Sequence, residues 1–226
     1  MKSSLSPTTP LLELQNISYA YRALPVIQDF NWQWLPEQQW ACLGPNGAGK
    51  TTLAKLITRQ LVHSSGVIEK SAELQRAGIG YVCFEQQKTL CDRDSKLDDS
   101  EARADAQDPG TTVQRAICGD APPHPQFAEW AQRLGITHIL QRGIRFVSTG
   151  EMRKTLLLKA ILSEPALLIL DSPLDGLDLA SQEEMATLLE QLLASKLRVL
   201  LLCRQSDDLP QGITHVLALA RGEILA

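Results

Sequence analysis

The stretch that decides the fold of this chain is Gly44-Pro45-Asn46-Gly47-Ala48-Gly49-Lys50-Thr51-Thr52. It fits the pattern G-x-x-x-x-G-K-[ST], in which glycines let successive backbone N–H groups turn inward around a phosphate. In that pattern Lys50 reaches the β- and γ-phosphates, and the Thr51 hydroxyl is offered to Mg²⁺. An apolar strand before the loop and a helix after it, whose N-terminus favours anions, complete the expected setting. The stretch therefore predicts a site for the phosphates of a nucleotide and for Mg²⁺; the alternative is a glycine-rich turn with an incidental lysine.

A second informative run is Ala166-Leu-Leu-Ile-Leu-Asp171. A continuous apolar run is typical of a parallel strand that is covered on both faces. An aspartate at its end would lie at the carboxyl edge of the sheet, beside the phosphate loop, where it can hold Mg²⁺ directly or through water. Such an aspartate alone is also found as a simple turn residue. Together with the upstream loop, it predicts a three-layer α/β P-loop fold.

Composition limits the remaining possibilities. The chain has 226 residues, which suits one large domain or a core with a small insert. Its net charge of −4 argues against nucleic acid as a partner. Its five cysteines are scattered and odd in number, which favours reduced cytosolic thiols over a disulfide framework. No apolar run approaches membrane-spanning length, so we expect that the chain does not cross a bilayer by itself.

Other segments predict an alternation of strands and helices around the loop. Residues 11–19 and 30–35 alternate apolar with polar positions, which predicts an antiparallel flank beside the loop strand. Residues 92–110 are rich in acidic residues and nearly lack apolar ones, which predicts a flexible loop. The run Ser181-Gln-Glu-Glu184 is interpreted as a capping box that opens a helix. Further predicted segments are a buried strand at 78–84, a mainly helical stretch at 111–141 and a buried strand at 197–203.

The segment Phe146-Val-Ser-Thr-Gly-Glu-Met-Arg-Lys154 resembles the signature peptide of ABC-type ATPases, which usually reads Leu-Ser-Gly-Gly-Gln. It stands directly before an apolar helix and about twenty residues before Asp171. The resemblance covers almost the whole chain. The sequence around the signature, and the run Leu-Asp-Gly-Leu-Asp at 174–178, resemble the first half of tandem ATPases of the molybdate-transport and photorepair group.

This resemblance implies an organisation and a set of roles. The chain would be a single ABC nucleotide-binding domain over 1–226, with a core at 1–87 and 163–226 and a helical signature insert at 88–162. Tyr21 would stack on adenine, although it could instead be a core residue of its strand. Gln86 would belong to the glutamine loop, where it would take part in catalysis and bind magnesium. The residues expected to touch the nucleotide of an opposite subunit are Ser148, Thr149, Gly150, Glu151 and Asp178.

Several positions depart from the family pattern. Ser172 stands where the family has the glutamate that positions the attacking water, a group worth roughly 10²–10⁴ in rate. Arg204 falls near the position of the switch histidine, and His215 lies too far along the chain to replace it. Strict spacing puts Phe84 at the glutamine position, with Gln86 the nearest glutamine, and the signature ends in Glu151. These departures indicate a degenerate site that holds ATP.

ABC domains act as head-to-tail pairs, so the resemblance implies a second such domain as partner, either a tandem half or another copy. The signature Ser148-Thr-Gly is then expected to have no role within its own subunit. A membrane transporter subunit would be a further partner. The chain itself would then be cytoplasmic and would lie at the inner face of the cell membrane. The chain ends at Gly222-Glu-Ile-Leu-Ala, directly after its final strand, which suggests a truncated tandem protein.

Two classes of function remain open at this stage. The first is a working ATPase that drives a transporter or remodelling partner, and the second is a regulatory module that holds ATP while a partner hydrolyses. Ser172 and Arg204 favour the second class for this chain, and the family resemblance favours the first for the assembly. The signature argues against a phosphate-loop kinase.

Overall fold

Three strongly apolar segments of the sequence form neighbouring strands of one sheet. These strands are β3 (Trp40–Leu43), β6 (Leu167–Asp171) and β7 (Arg198–Cys203). All three pair in parallel, and their residues are nearly all buried, as expected for strands covered on both faces. The sheet order is β5-β6-β7-β3-β8-β9, where β5 is Ile79–Cys83, β8 is His215–Ala220 and β9 is Glu223–Ile224.

The structure is a computed structural model that describes residues 9–83, 110–206 and 209–225. Phe84, Gln86 and residues 92–109 of the predicted acidic loop lie outside these ranges. The chain divides into two compact units. The first unit comprises Met1–Tyr81, Pro165–Ser172 and Leu189–Ala226, and the second comprises Val82–Glu164 and Pro173–Leu188.

A second sheet of the first unit is antiparallel, with the order β2-β1-β4. It consists of β1 (Leu12–Tyr21), β2 (Leu24–Trp34) and β4 (Ser65–Lys70). The alternating segments therefore do form an antiparallel flank, but as a sheet of its own rather than as added strands of the parallel sheet. Its inward side chains join one apolar core that also includes helix α1 (Lys50–Ile57), and examples are Leu14, Phe30 and Trp34. The short helix α2 (Ala72–Ala77) connects β4 to β5.

Helices dominate the second unit. They are α3 (Val113–Cys118), α4 (Phe127–Arg133) and α5 (Thr149–Ile161), with 3₁₀ turns at Thr137–Ile139 and Ile144–Phe146. Helix α6 (Leu179–Leu193) starts in this unit. Its apolar residues are buried at Met185, Leu188, Leu189, Leu192 and Leu193. Within the described ranges, no helix has the length and apolar character needed to span a membrane.

The predicted start of α6 is wrong. The helix begins at Leu179, and Asp178 caps it, because its carboxylate accepts hydrogen bonds from the Ser181 amide at 2.9 Å and the Ser181 hydroxyl at 3.0 Å. Ser181 therefore lies inside the first turn instead of capping it. An aspartate competes well for a helix N-terminus, because its carboxylate satisfies free amides and interacts favourably with the helix dipole.

Candidate functional site

The glycine-rich loop joins β3 to α1 and is held tightly by the first unit. A Cβ at Gly44 would lie 2.2 Å from the carbonyl oxygen of Leu219, so only glycine fits there. Gly49 has a φ of 105°, in the region that favours glycine, and it caps α1. The carbonyl of Ala48 accepts a hydrogen bond from the Gly222 amide at 3.1 Å. The intervening residues Pro45, Asn46 and Gly47 are exposed, and Thr52 lies half-buried in the first turn of α1.

Lys50 is a buried cation within this loop. Its side chain is only 7% exposed, and its ammonium donates to the carbonyls of Gly44 at 2.6 Å and Pro45 at 3.1 Å. Among the residues that the structure describes, no carboxylate lies within ion-pair distance of it. A buried charge is costly unless it is compensated, so a bound anion would satisfy Lys50 better than the two loop carbonyls do.

A buried carboxylate lies at the end of β6. Asp171 is 6% exposed, and its Oδ2 accepts hydrogen bonds from the Thr51 hydroxyl at 2.7 Å and the Tyr81 hydroxyl at 3.1 Å. Hydroxyl and carboxylate oxygens are the donors that Mg²⁺ prefers, so Thr51 and Asp171 fit a magnesium site. Tyr81 is a site residue that no sequence motif predicts. A possible signal was its place in the predicted strand 78–84, but the sequence does not reveal that this strand neighbours β6.

Ser172 follows Asp171 in a constrained backbone conformation. Its φ is 55°, and its amide donates to the carbonyl of Leu202 at 3.0 Å. Its hydroxyl lies 3.5 Å from Asp171 Oδ1. The side chain therefore stays close to the neighbouring carboxylate. A hydroxyl at neutral pH does not act as a general base in the way a glutamate does.

Arg204 lies at the same edge of the sheet. It is exposed and directly follows Cys203, which pairs with Leu43 at the end of β3. Asp171 pairs with Leu202, so the ends of β3, β6 and β7 come together there. His215 pairs with Trp40 at the start of β3, and the two rings lie 4.9 Å apart. It therefore lies at the opposite edge of the sheet, in agreement with the expectation that it does not serve the site.

Cys42, in the strand β3 before the loop, carries an unreactive thiol. Burial raises the pKa of Cys42 to about 12, an effect that Lys50 opposes and that Cys203 and Asp171 reinforce. The thiol therefore stays protonated and acts as a small apolar side chain. None of the four cysteines in the described part of the chain forms a disulfide.

Tyr21 lies at the end of β1 and is 56% exposed. The guanidinium of Arg22 lies 5.4 Å from the centroid of its ring. The alternative interpretation of Tyr21 as a core residue is therefore wrong. Its exposed ring is free to stack on a flat ligand. Gln86, the remaining predicted residue, lies outside the described part of the chain.

The signature residues of the second unit lie at the N-terminus of α5. Ser148 caps the helix, because its hydroxyl accepts from the Glu151 amide at 3.2 Å, and the Glu151 carboxylate accepts from the Ser148 amide at 2.7 Å. The expectation that the signature has no role within its own subunit is thus wrong for Ser148. Thr149 and Gly150 follow in the first turn. Asp178 caps α6, as described above.

Glu151 also lies close to a histidine and an arginine. Its carboxylate lies 3.3 Å from His138 and 3.7 Å from Arg142. Burial raises the pKa of Glu151, but hydrogen bonds from Ser148 and the nearby Arg142 and His138 outweigh it and lower the pKa overall. The acidic end of this signature is therefore compensated within the unit.

Comparison with known proteins establishes the family. The profile of the ABC transporter family matches residues 27–175, which is most of the chain. The chain belongs to this family. This confirms the resemblance to ABC-type ATPases and the predicted α/β P-loop fold. The chain is 35% identical to the ABC transporter ATP-binding protein ModF of Escherichia coli K12 over 182 residues. This aligned region covers 80% of this chain and 36% of ModF. It is 30% identical over 182 residues to the zinc import ATP-binding protein ZnuC of Mannheimia succiniciproducens, which covers 80% of this chain and 62% of that protein.

The chain thus spans less than two thirds of the length of these relatives.

Solved structures support the fold. An ATP-binding cassette of an ABC transporter in its ADP conformation matches with a TM-score of 0.72 and 18% identity, over 97% of this chain and 91% of that one. A dimeric ATP-binding cassette in a post-hydrolysis state, bound to ADP and Pi, matches with a TM-score of 0.73 and 14% identity, over 95% and 97%.

Proposed function

We propose that this chain is a nucleotide-binding domain that binds MgATP in the loop 44–52. The observation that carries the proposal is Lys50, a buried cation whose partners among the described residues are two loop carbonyls. The N-terminus of α1 adds the positive end of a helix dipole at the same place. Both features favour a phosphate chain in this loop.

The roles of the single residues follow from their chemistry. Lys50 and the loop amides bind phosphate oxygens, and Tyr21 stacks on the adenine ring. Thr51 and Asp171 hold magnesium, with Gln86 as a further ligand. The metal neutralises phosphate charge when it is bound. The Thr51–Asp171 distance of 2.7 Å supports this assignment, because both oxygens already converge on one point.

We further propose that ATP turnover by this chain is slow. Ser172 offers no carboxylate to position and deprotonate the attacking water, and Arg204 replaces the expected histidine. Loss of a general base lowers rates by roughly 10²–10⁴. The alternative function, a regulatory module that holds ATP without hydrolysing it, is favoured by the same Ser172 hydroxyl, which lies 3.5 Å from Asp171.

The proposed assembly is a head-to-tail pair. In it, Ser148, Thr149, Gly150, Glu151 and Asp178 of one domain complete the nucleotide site of the other. The partner is a second domain of this family, either a tandem half or another copy. The dimeric relative bound to ADP and Pi supports pairing as a property worth testing. A transporter subunit would bind the pair at the inner, cytoplasmic face of the membrane.

Thermal unfolding tests the binding proposal. MgATP at a hundredfold excess over Kd should stabilise the chain by about 2.7 kcal/mol, because it binds only the folded state. Lys50→Ala should abolish this shift, and Lys55→Ala, which changes a lysine further along α1, should keep it. The site assignment is wrong if wild-type protein shows no shift, or if Lys50→Ala shows the same shift as Lys55→Ala.

Phosphate release at saturating MgATP tests the proposed turnover. We expect a very slow rate for the wild type, and higher rates for Ser172→Glu and for Ser172→Glu with Arg204→His. A fast wild-type rate that Asp171→Asn abolishes would overturn the degenerate-site proposal and leave an ordinary ATPase. Bound ATP that stays intact for the whole measurement would favour the regulatory alternative.

A further inference from the structure

Arg153 is a buried charge in the second unit that the proposed function does not use. It lies on α5, five residues after the helix cap Ser148, and is only 6% exposed. Burial lowers the pKa of Arg153, while the nearby Asp175 raises it. A guanidinium remains charged under such conditions, so its burial needs hydrogen-bond acceptors of fixed geometry.

Those acceptors lie in the segment that connects β6 to α6. Nη1 of Arg153 donates to the carbonyl of Pro173 at 2.5 Å, and Nη2 donates to the carbonyl of Asp175. The next residue, Gly176, has a φ of 75°, and a Cβ there would lie 3.9 Å from Arg153 Nη2. The segment therefore turns closely around the planar guanidinium. A planar donor with several N–H groups can hold two carbonyls of one turn at once, which an ammonium cannot do in the same geometry.

Other contacts bring the two helix starts together. A Cβ at Gly150 would lie 3.3 Å from the Ser181 hydroxyl oxygen, so the first turns of α5 and α6 approach closely. Lys154 donates to Glu184 at 2.5 Å on the exposed side of the same helix pair. Arg153 is the buried member of this set, and it binds two carbonyls of the segment that ends at Asp178.

We propose that Arg153 is a positioning residue that fixes the segment 173–178 to α5, so that residues 148–150 and Asp178 are presented to a partner domain as one preformed surface. The inference rests on the proposed head-to-tail pairing for its functional consequence. Its structural part, that one guanidinium holds the segment, rests on the hydrogen bonds from Arg153 to the carbonyls of Pro173 and Asp175. A preformed surface lowers the ordering cost of association, which is the reason that loss of the brace should weaken pairing.

Hydrogen exchange and sedimentation of the full chain test this inference. Arg153→Lys keeps the charge but loses the fork, and Arg153→Met removes the charge. Both should speed amide exchange in residues 174–178 and weaken MgATP-dependent pairing by tenfold or more, with the larger effect for Arg153→Met. The MgATP-induced thermal shift should remain, because Lys50 and its loop are unchanged. The control is Lys159→Met, a lysine on the same helix that donates to the carbonyl of Ala116 and should leave both readouts as in the wild type.

The outcomes separate this inference from the proposed function. If the wild type stays monomeric with MgATP, pairing between two copies of this chain fails, and exchange at 174–178 alone decides whether Arg153 holds the segment. Unchanged exchange in both Arg153 variants overturns the inference, as does pairing that matches the wild type. Equal loss of pairing in Lys159→Met would also overturn it, because the effect would then reflect general damage to the unit. If Arg153→Met does not fold, Arg153→Lys decides both readouts.

Discussion

At the scale of single residues, the Asp171 carboxylate depends on hydroxyl donors from different parts of the chain. Thr51 and Tyr81 both donate to Oδ2. Hydrogen bonds to a charged group contribute more than neutral ones, about 1.5–3 kcal/mol each. Thr51 is expected to turn toward a ligand, so Tyr81 is the donor that can hold the carboxylate in place in both states.

We therefore expect Tyr81→Phe to lower the free energy of unfolding by about 1–2 kcal/mol, since Thr51 still satisfies part of the carboxylate. Urea titration without nucleotide measures this change. Tyr19→Phe is the matched control, because the Tyr19 ring packs against the same core and its hydroxyl makes no hydrogen bond in the described part of the chain. Equal effects of the two substitutions would show that the Tyr81 hydroxyl does not support Asp171.

Glu151 provides a pH-dependent contribution at the start of α5. Its folded pKa is lowered, so the stability it contributes is complete above the ordinary value of 4.5 and is lost as the pH falls through the folded pKa. Glu151→Gln keeps an acceptor for Ser148 but removes the charge that interacts with the helix dipole, His138 and Arg142. We expect it to cost about 0.5–1 kcal/mol at pH 7.

The difference between Glu151→Gln and the wild type should shrink as the pH falls below 4.5 and vanish below the folded pKa. Urea titrations at several pH values measure it. Glu184→Gln is a control, since this exposed glutamate pairs with Lys154 at 2.5 Å and lies outside the cluster around Ser148. A constant difference across the whole pH range would show that the charge of Glu151 does not contribute.

The sequence predicted those site residues that belong to one local motif or end a strongly apolar strand. Lys50 and Thr51 have fixed places in a loop pattern, and Asp171 ends a continuous apolar run. Tyr81 could not be predicted, because its contact with Asp171 depends on the neighbouring positions of β5 and β6 in the sheet, which are not encoded by local periodicity. The S-x-x-E pattern at 148–151 is typical of a helix cap, whereas the family resemblance assigns Ser148 to the nucleotide of a partner domain.

At the scale of elements, the turn between β1 and β2 is unusual. Tyr21 pairs with Leu24, so only Arg22 and Ala23 form the turn, with φ values of 49° and 66°. Two-residue hairpin turns with both central φ values positive favour Asn-Gly or Asp-Gly. Residues with a Cβ pay about 1–2 kcal/mol in the left-handed region. Arg22-Ala23 contains no residue typical of such a turn, yet Tyr21 lies directly beside it.

Ala23→Gly should therefore stabilise the first unit by about 0.5–1 kcal/mol, because the relief of strain exceeds the added freedom of the unfolded chain. Thermal or urea unfolding measures the change. Ala20→Gly, a substitution within the adjacent strand β1, should destabilise the chain because glycine is unfavourable inside a strand. A loss of stability in Ala23→Gly similar to that in Ala20→Gly would contradict the strain argument.

Elements were predictable where one signal dominates and were missed where signals compete. The strands at 166–171 and 197–203 were evident because almost every residue is apolar. Strand β4 was not predicted, since it alternates exposed with partly buried residues and contains Gly66. At the start of α6, Asp178 and Ser181 are both good caps three residues apart, and only the packed structure shows that Asp178 is used.

At the scale of the whole molecule, nucleotide binding and pairing are expected to leave separate traces. Lys50, Thr51 and Asp171 belong to the first unit, whereas Ser148–Gly150 and Asp178 belong to the second. Binding alone satisfies groups of the first unit, and only a partner would cover the signature residues. Protection from hydrogen exchange should therefore appear in two steps, the first independent of protein concentration and the second dependent on it.

With MgATP at low protein concentration, we expect slower amide exchange in 44–57 and no change in 148–152. Raising the protein concentration, or adding a second domain of the family, should then slow exchange in 148–152 and 174–181 as well. Lys50→Ala should lose both steps, because ATP is no longer held. Thr149→Arg, which places a bulky side chain on an exposed position of the signature, should lose only the second step. Protection of 148–152 that is already complete in dilute monomer, or that persists in Thr149→Arg, would mean that the signature residues respond to nucleotide without a partner, and the head-to-tail proposal would fail.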